Sequence, residues 1–121
     1  MTKAKVLLAE DDLTMVSLLT TLLKMEGFLV VALQADADVP AAVRAENPDI
    51  LLLDVHLLNQ SGFEILDTLR NSEDTAATRV VMSSGADVRD ECMKHGANGF
   101  LMKPYMPDEL ITILKKTIHS A

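Results

Sequence analysis

The chain alternates between short apolar runs and longer segments in which apolar residues recur at helical spacing. The short runs have the length and aliphatic character of buried strands. They lie at 5–10, 28–33, 49–54, 79–83 and 99–102. The longer segments repeat apolar residues every three or four positions, which is typical of helices with one buried face. They lie at 13–26, 36–46, 63–70, 88–95 and 107–119. The pattern therefore predicts five consecutive β-α units.

Residues that commonly begin and end helices flank the helical segments. Asp12 precedes the first helix as a candidate cap, and Gly27 follows it. Gly96 closes the fourth predicted helix, and Pro107 stands at the first position of the fifth, where proline is tolerated. No repeat, linker or low-complexity stretch interrupts the series. We therefore predict one α/β domain over 1–121, with helices on both faces of a parallel sheet.

Four of the predicted strands lead directly into polar side chains. An unpaired carboxylate at the end of a buried strand is costly, yet four aliphatic residues at 50–53 run straight into an acid. Two hydroxyls, a lysine and further acids follow the other runs. These residues are Glu10, Asp11, Asp54, Ser83, Ser84 and Lys103. Because ligands bind at the carboxyl ends of the strands in open parallel sheets, we expect these side chains to meet at one edge.

Composition narrows the partners that such an edge could serve. The 121 residues carry a formal net charge of -7, which is poorly matched to nucleic acid and to anionic membranes. We therefore expect no direct binding to either, and better complementarity to cations and basic proteins. The single cysteine, Cys92, excludes an internal disulfide and agrees with a cytoplasmic location. No apolar run has the length of a membrane-spanning helix.

The acids at the strand ends suggest a metal-dependent reaction. The carboxylates of Glu10, Asp11 and Asp54 would repel one another, and a hard divalent cation such as Mg²⁺ would relieve that repulsion. The three histidines and the cysteine are scattered, so nothing indicates zinc. Mg²⁺ beside a carboxylate, with a lysine and a hydroxyl nearby, describes a phosphoryl-transfer site. In such a site Asp54 would be the nucleophile, and Lys103 and Ser84 would contact the phosphoryl oxygens.

At these residues the chain resembles the receiver domain of two-component response regulators, the CheY-like family. The resemblance extends from Lys5 to about Lys116, and its motifs are specific in their order and spacing although each is weak alone. The motifs are Val6-Leu-Leu-Ala-Glu-Asp-Asp12, Pro48-Asp-Ile-Leu-Leu-Leu-Asp54, Gly62, Ser84-Gly85 and Lys103-Pro104-Tyr105. The resemblance implies a flavodoxin-like three-layer sandwich, with a five-stranded parallel sheet in the order 2-1-3-4-5 and five helices.

The resemblance also implies a reaction. Asp54 would accept a phosphoryl group from a sensor histidine kinase or a phosphotransfer protein. Asp11, Asp54, the backbone carbonyl of His56 and, mainly through water, Glu10 would hold Mg²⁺. The domain would promote its own phosphorylation and dephosphorylation, and it would not be an enzyme that turns over a separate substrate.

A conformational switch follows from the same resemblance. Lys103 would pair with the phosphoryl group, Ser84 would be drawn towards it, and Phe100 occupies the position of the family's switch aromatic. Their movement would remodel the face made by the fourth helix, fifth strand and fifth helix. A downstream protein, an effector domain outside these residues, or a second copy in a phosphorylation-linked dimer would recognise that face. The Lys103–Pro104 bond is usually cis in the family.

The chain departs from the family pattern at several positions. Leu58 stands where many members have proline, and the stretch from Ser84 to Lys103 is a few residues shorter than usual. Phe100 lacks the hydroxyl of the commoner tyrosine. The ring of His56, two residues beyond Asp54, is a candidate for tuning the lifetime of the phosphoryl group.

Three other functions share part of this pattern. A haloacid-dehalogenase-type phosphatase also has an aspartate nucleophile after an apolar strand, but it needs a second acid where this chain has His56. A flavodoxin-like cofactor binder would need a phosphate-binding loop at 10–12, where three acids would repel a phosphate. A pseudo-receiver that serves as a constitutive interaction module is disfavoured by the complete set of acids, hydroxyl and lysine.

Overall fold

Seven strands and five helices form within residues 3–119, the part of the chain that the computed structural model describes. The strands are β1 (Lys5–Ala9), β2 (Leu29–Ala32), β3 (Ile50–Asp54), β4 (His56–Leu57), β5 (Gln60–Ser61), β6 (Val80–Ser84) and β7 (Gly99–Met102). The helices are α1 (Leu13–Met25), α2 (Val39–Glu46), α3 (Gly62–Arg70), α4 (Arg89–Lys94) and α5 (Pro107–Ile118). Within the described range, none of these helices is long and apolar enough to cross a membrane. The predicted bounds of the domain, 1–121, reach beyond the described residues at both ends.

The main sheet contains five parallel strands in the order β2-β1-β3-β6-β7. Strands β6 and β7 are the fourth and fifth members of this sheet in chain order, because β4 and β5 form a separate antiparallel pair. The predicted order 2-1-3-4-5 is therefore confirmed. It places β1 and β3 side by side at the centre, so that their carboxyl ends adjoin.

Helices cover both faces of the sheet. Along β1, Val6 and Leu8 lie in an apolar cluster with residues of α1 and α5, whereas Leu7 and Ala9 lie in a second cluster with residues of α2, α3 and α4. The central strand β3 is buried along its whole length. Because such a strand has no face towards solvent, its sequence is a continuous apolar run, and that run carries Asp54 to a buried position.

Side-chain caps mark the beginnings of α1 and α2. Asp12 accepts hydrogen bonds from the N–H groups of Thr14 and Met15, at 3.0 and 3.2 Å, and caps α1 as predicted. The predicted start of α2 at Asp36 is wrong, because the Asp38 side chain accepts from the N–H of Ala41 at 3.1 Å and the helix begins after it. Helix α4 is one residue shorter at each end than predicted, and no side chain caps its start.

A hairpin, rather than a plain loop, occupies the segment before α3. The sequence predicts only a loop at 59–62, but β4 and β5 pair there. The side-chain amide of Gln60 donates to the carbonyls of Ala35 and Ala37, at 3.3 and 3.1 Å, and ties the hairpin to the segment after β2. Two-residue strands are too short to show alternation, so no sequence pattern indicated them.

Gly62 allows this hairpin to fold back against the end of β3. A Cβ at Gly62 would collide with the main chain of Asp54 and Val55. The Gly62 N–H donates to the carbonyl oxygen of Val55 at 2.7 Å. The absence of a side chain here thus holds the hairpin close to the buried acid of β3.

Candidate functional site

Lys103 joins two of the acids that the sequence predicts to meet. Glu10 follows β1, Asp54 ends β3, and Lys103 follows β7. The Nζ atom of Lys103 donates to Oε1 of Glu10 at 2.7 Å and to Oδ2 of Asp54 at 2.8 Å. The Lys103–Pro104 peptide bond is cis, as the family resemblance leads us to expect. Three strand ends that are far apart in sequence therefore converge on one cluster of charges.

Asp11 adds a third carboxylate to this cluster. One carboxylate oxygen each from Glu10, Asp11 and Asp54 lies within 4.8 Å of the others. Glu10 and Asp54 are buried, whereas Asp11 is half-buried at the edge towards solvent. Closely spaced carboxylate oxygens are the hard ligands that Mg²⁺ prefers. The three residues therefore fit a divalent cation of that class.

Backbone N–H groups orient each of the three carboxylates. Glu10 Oε2 accepts from the N–H of Asp11 at 2.9 Å. Asp11 Oδ2 accepts from the N–H of Leu58 at 3.0 Å, and Asp54 Oδ1 accepts from the N–H of His56 at 3.1 Å. Two of these donors belong to the hairpin or its turn, so the hairpin is part of the site rather than a connection beside it.

The cluster holds more negative charge than its lysine can balance. Burial, together with the neighbouring Asp54 carboxylate, raises the pKa of Glu10 despite the opposing hydrogen bond from Lys103. Burial alone would lower the pKa of Lys103, but the hydrogen bonds and charges of Asp54 and Glu10 outweigh it and raise that pKa. The ammonium is therefore firmly protonated, and a second cation would be favoured beside it.

The predicted hydroxyl and aromatic residues lie on β6 and β7. Ser83 is the Cα partner of Asp54 between β6 and β3, and Ser84 follows at the end of β6. Both serines are buried, and Ser84 Oγ accepts from the N–H of Ala86 at 3.1 Å. Phe100 is buried in the cluster that packs under α2, α3 and α4. The roles of Ser84 and Phe100 in switching stay predictions.

His56 contributes to the site through its main chain, while its side chain points to solvent. His56 is exposed, and its contact with Asp54 is made by its backbone N–H. Neither the proposed carbonyl ligand nor the effect of the ring on phosphoryl lifetime is tested by this geometry. The Leu58 N–H also reaches the site from the turn of the hairpin. The only sequence signal for it is that residue 58 is not proline, since every other residue type carries this donor.

Tyr105 places an unpaired polar atom next to the charge cluster. Its hydroxyl is buried and has no hydrogen-bond partner among the described residues. Burial raises the pKa of Tyr105 to about 12, with a smaller opposing effect from the charge of Lys103. The ring lines an apolar cavity of about 520 Å³ between α1 and the start of α5, with Lys103 at its edge. No pattern in the sequence predicts a role for this hydroxyl.

Comparison with known proteins identifies relatives over nearly the whole chain. The family described as "Response regulator receiver domain" matches residues 6–115. The "DNA-binding response regulator MtrA" of Mycobacterium tuberculosis is 30% identical over 111 residues, which cover 90% of this chain and 48% of that protein. The "Transcriptional regulatory protein CpxR" of Klebsiella pneumoniae is 32% identical over 111 residues, or 92% of this chain and 47% of that protein. The chain thus spans about half the length of these curated relatives.

Solved structures share the fold at lower sequence identity. The chemotaxis response regulator CheY4 of Vibrio cholerae superposes with a TM-score of 0.87 at 24% identity, covering 96% of this chain and 99% of that one. The receiver domain of a sensor histidine kinase of Pseudomonas aeruginosa, solved with magnesium in its active-site cleft, superposes with a TM-score of 0.87 at 22% identity. It covers 98% of this chain and 100% of that one. At these identities the likeness establishes the fold.

Proposed function

The chain belongs to the response regulator receiver domain family, and from that premise we propose that it is a phosphorylation-dependent signalling switch with Asp54 as its phosphoryl acceptor. The observation that carries this proposal is the contact of Lys103 with both Asp54 and Glu10, at 2.8 and 2.7 Å. It places a fixed cation against a buried carboxylate at the carboxyl edge of the sheet. A phosphoryl group on Asp54 would find its counter-charge already present.

The three acids are the proposed metal ligands. Asp11, Asp54 and the main-chain carbonyl of His56, with Glu10 mainly through water, would hold Mg²⁺, which supplies positive charge to the phosphoryl oxygens when it is bound. The described residues supply the rest of the chemistry. The N–H of His56 orients one oxygen of Asp54, and Lys103 holds the other.

Phosphoryl transfer then needs little further from the protein. A carboxylate oxygen of Asp54 forms a bond to phosphorus while the bond from phosphorus to an imidazole nitrogen of the donor breaks, and that nitrogen keeps the electron pair. The donor would be a sensor histidine kinase or a phosphotransfer protein. Hydrolysis of the acyl phosphate returns the protein to its starting state, so no separate substrate is turned over.

The output would follow from a change in population between two conformations. The new charge on Asp54 competes with Glu10 for Lys103 and draws Ser84 towards the site. Because Phe100 packs in the cluster beneath α4, its rearrangement would alter the face formed by α4, β7 and α5. A downstream protein, an effector domain outside this chain or a second copy would read that face in the cytoplasm.

Acetyl phosphate provides a direct test of the acceptor. Incubation with acetyl phosphate and Mg²⁺ should give a protein carrying one phosphoryl group by intact mass, and Asp54→Asn should abolish it. Asp74→Asn is a matched control, because Asp74 is an exposed aspartate paired with Arg44 away from the site. Absence of the adduct in the unmodified chain, or its persistence in Asp54→Asn, would contradict the proposal.

A further inference from the structure

The turn between β4 and β5 places a leucine in an unusual backbone conformation beside the acidic site. Leu58 has a φ of 42°, in the left-handed region that residues other than glycine rarely adopt. Its side chain is 68% exposed, so burial does not compensate for this conformation. In this conformation the Leu58 N–H donates a hydrogen bond to Asp11 Oδ2 at 3.0 Å.

This hydrogen bond joins two segments that are 47 residues apart in the chain. Asp11 follows β1, and Leu58 belongs to the turn beyond β3. The hairpin is tied to the segment between β2 and α2, because the side-chain amide of Gln60 donates to the carbonyls of Ala35 and Ala37. Asp11 is therefore oriented by a backbone donor that is itself anchored, and not by a free loop.

Only a residue with a backbone N–H can make this contact. Proline, which by the family resemblance stands at this position in many members, has no N–H to donate. The proline ring also holds φ at about -65°, far from the 42° of Leu58. Leucine at position 58 thus allows an interaction with Asp11 that proline would forbid.

We propose that the Leu58 N–H is a positioning group for the divalent-cation site and that it sets the affinity of this site by holding Asp11. A carboxylate has two oxygens with about four lone-pair sites, so the bond from Leu58 leaves Asp11 with capacity for a cation. Hydrogen bonds of this kind orient metal-binding carboxylates, and their loss typically weakens metal binding about 10- to 100-fold. The inference rests on the proposed Mg²⁺ site.

Replacement of the residue 58 amide by an ester tests the proposal most sharply, since it removes the N–H but keeps the leucine side chain. Mg²⁺ affinity of the unphosphorylated protein is measured by calorimetry or by an NMR titration, because the chain has no tryptophan to report binding. We expect about tenfold weaker binding in the ester and in Leu58→Pro. Leu58→Gly, which keeps the N–H and tolerates positive φ, should bind within about twofold of the original.

An ester at residue 41 is the matched control. The Ala41 N–H also donates to an aspartate, Asp38, at 3.1 Å, but on α2 and away from the acids. This ester should leave Mg²⁺ affinity unchanged. Unchanged affinity in the residue 58 ester would overturn the inference, even if Leu58→Pro weakens binding, because the effect would then come from the displaced turn. If the unmodified protein bound no Mg²⁺, the proposed metal site would fail together with this inference.

Discussion

Two half-buried cations stand at opposite ends of the parallel sheet, and they differ in the groups they bind. At the carboxyl end, Lys103 contacts the carboxylates of Glu10 and Asp54. At the amino end, Arg70 leaves the end of α3 and donates to backbone carbonyls that precede β6 and β7. These donations reach the oxygens of Gly96, Ala76 and Thr78, together with Oδ1 of Asn98, at 2.8 to 3.1 Å.

The difference shows which cation can take part in a switch. The hydrogen-bond partners of Arg70 are neutral oxygens of the main chain and of one amide, so the guanidinium cross-links the turns that precede two strands. The partners of Lys103 are carboxylates, so a metal ion could compete with Lys103 for them, and a phosphoryl group on Asp54 could compete with Glu10 for Lys103. Arg70 therefore stabilises the fold, whereas Lys103 holds an arrangement that the proposed phosphorylation of Asp54 would change.

Removal of the Lys103 charge should have the largest effect on stability. Lys103→Met leaves two buried carboxylates without their counter-charge, so we expect a loss of about 3 kcal/mol in the free energy of unfolding at neutral pH without metal. Mg²⁺ should restore a substantial part, because it supplies positive charge to the same acids. Chemical denaturation with and without Mg²⁺ measures both quantities.

The control for this prediction is Lys115→Met. Lys115 is exposed and lies 3.4 Å from Glu26, so its loss should cost no more than about 0.5 kcal/mol and show no rescue by Mg²⁺. Equal losses in the two lysine variants would show that Lys103 is only another surface ion pair.

Arg70→Met should follow, with a loss of about 2 kcal/mol, since several carbonyls lose a charged donor at once. Because Arg70 contacts none of the three acids, Mg²⁺ should stabilise this variant no more than it stabilises the original chain. Phosphorylation by acetyl phosphate should be retained. Denaturation curves and intact mass provide the readouts.

The control is Arg44→Met, which removes an exposed arginine paired with Asp74 and should cost about 0.5 kcal/mol or less. Selective rescue of Arg70→Met by Mg²⁺ would remove the distinction between the two cations.

A smaller effect is expected from the titration of Glu10. Because burial and the Asp54 carboxylate raise the pKa of Glu10 in the folded state, the folded protein binds this proton more tightly than the unfolded chain does. Without metal, the contribution of Glu10 to stability should therefore fall as pH rises from its unfolded pKa through its folded pKa. Glu10→Gln should remove this part of the slope, whereas Arg70→Met should keep it.

The measurement is chemical denaturation of the original chain and of Glu10→Gln at a series of pH values from 4.5, the ordinary pKa of a glutamate, to about 7.5. It gives the difference in the free energy of unfolding between the two proteins at each pH. This difference separates Glu10 from the general repulsion of an acidic surface. A stability difference that does not vary with pH would contradict the raised pKa.

Tyr105→Phe should have the smallest effect, and in the opposite direction. The buried hydroxyl has no partner among the described residues, so its removal should raise the free energy of unfolding by about 1 kcal/mol. Thermal or chemical unfolding would detect this gain. Destabilisation by Tyr105→Phe would show that the hydroxyl makes a compensating bond, and that the Lys103 end is as fully satisfied as the Arg70 end.

Features of the fold that depend on patterns over many residues were predictable from the sequence. The five strand runs, the helical segments and the convergence of Glu10, Asp54 and Lys103 all follow from patterns that extend over many residues and from the rule that parallel strands share one carboxyl edge. The hairpin at 56–61 was not predictable, since each of its strands has two residues. The Arg70 contacts were also missed, because carbonyl acceptors are present in every residue and carry no sequence signature.

The sequence by itself determined the succession of strands and helices and the acids, hydroxyls and lysine that follow the strands. Through the family resemblance that these residues carry, it also led us to expect the order of the strands in the sheet and the chemistry proposed at Asp54. Apolar periodicity encodes the succession of strands and helices directly, because burial is a property of each side chain in turn. Only the tertiary structure decided which backbone groups orient those acids, as the Leu58 N–H orients Asp11. It also decided that Lys103 contacts carboxylates while Arg70 contacts neutral oxygens. Such contacts depend on the direction of main-chain donors and acceptors after the chain has folded, and every residue type except proline supplies the same ones.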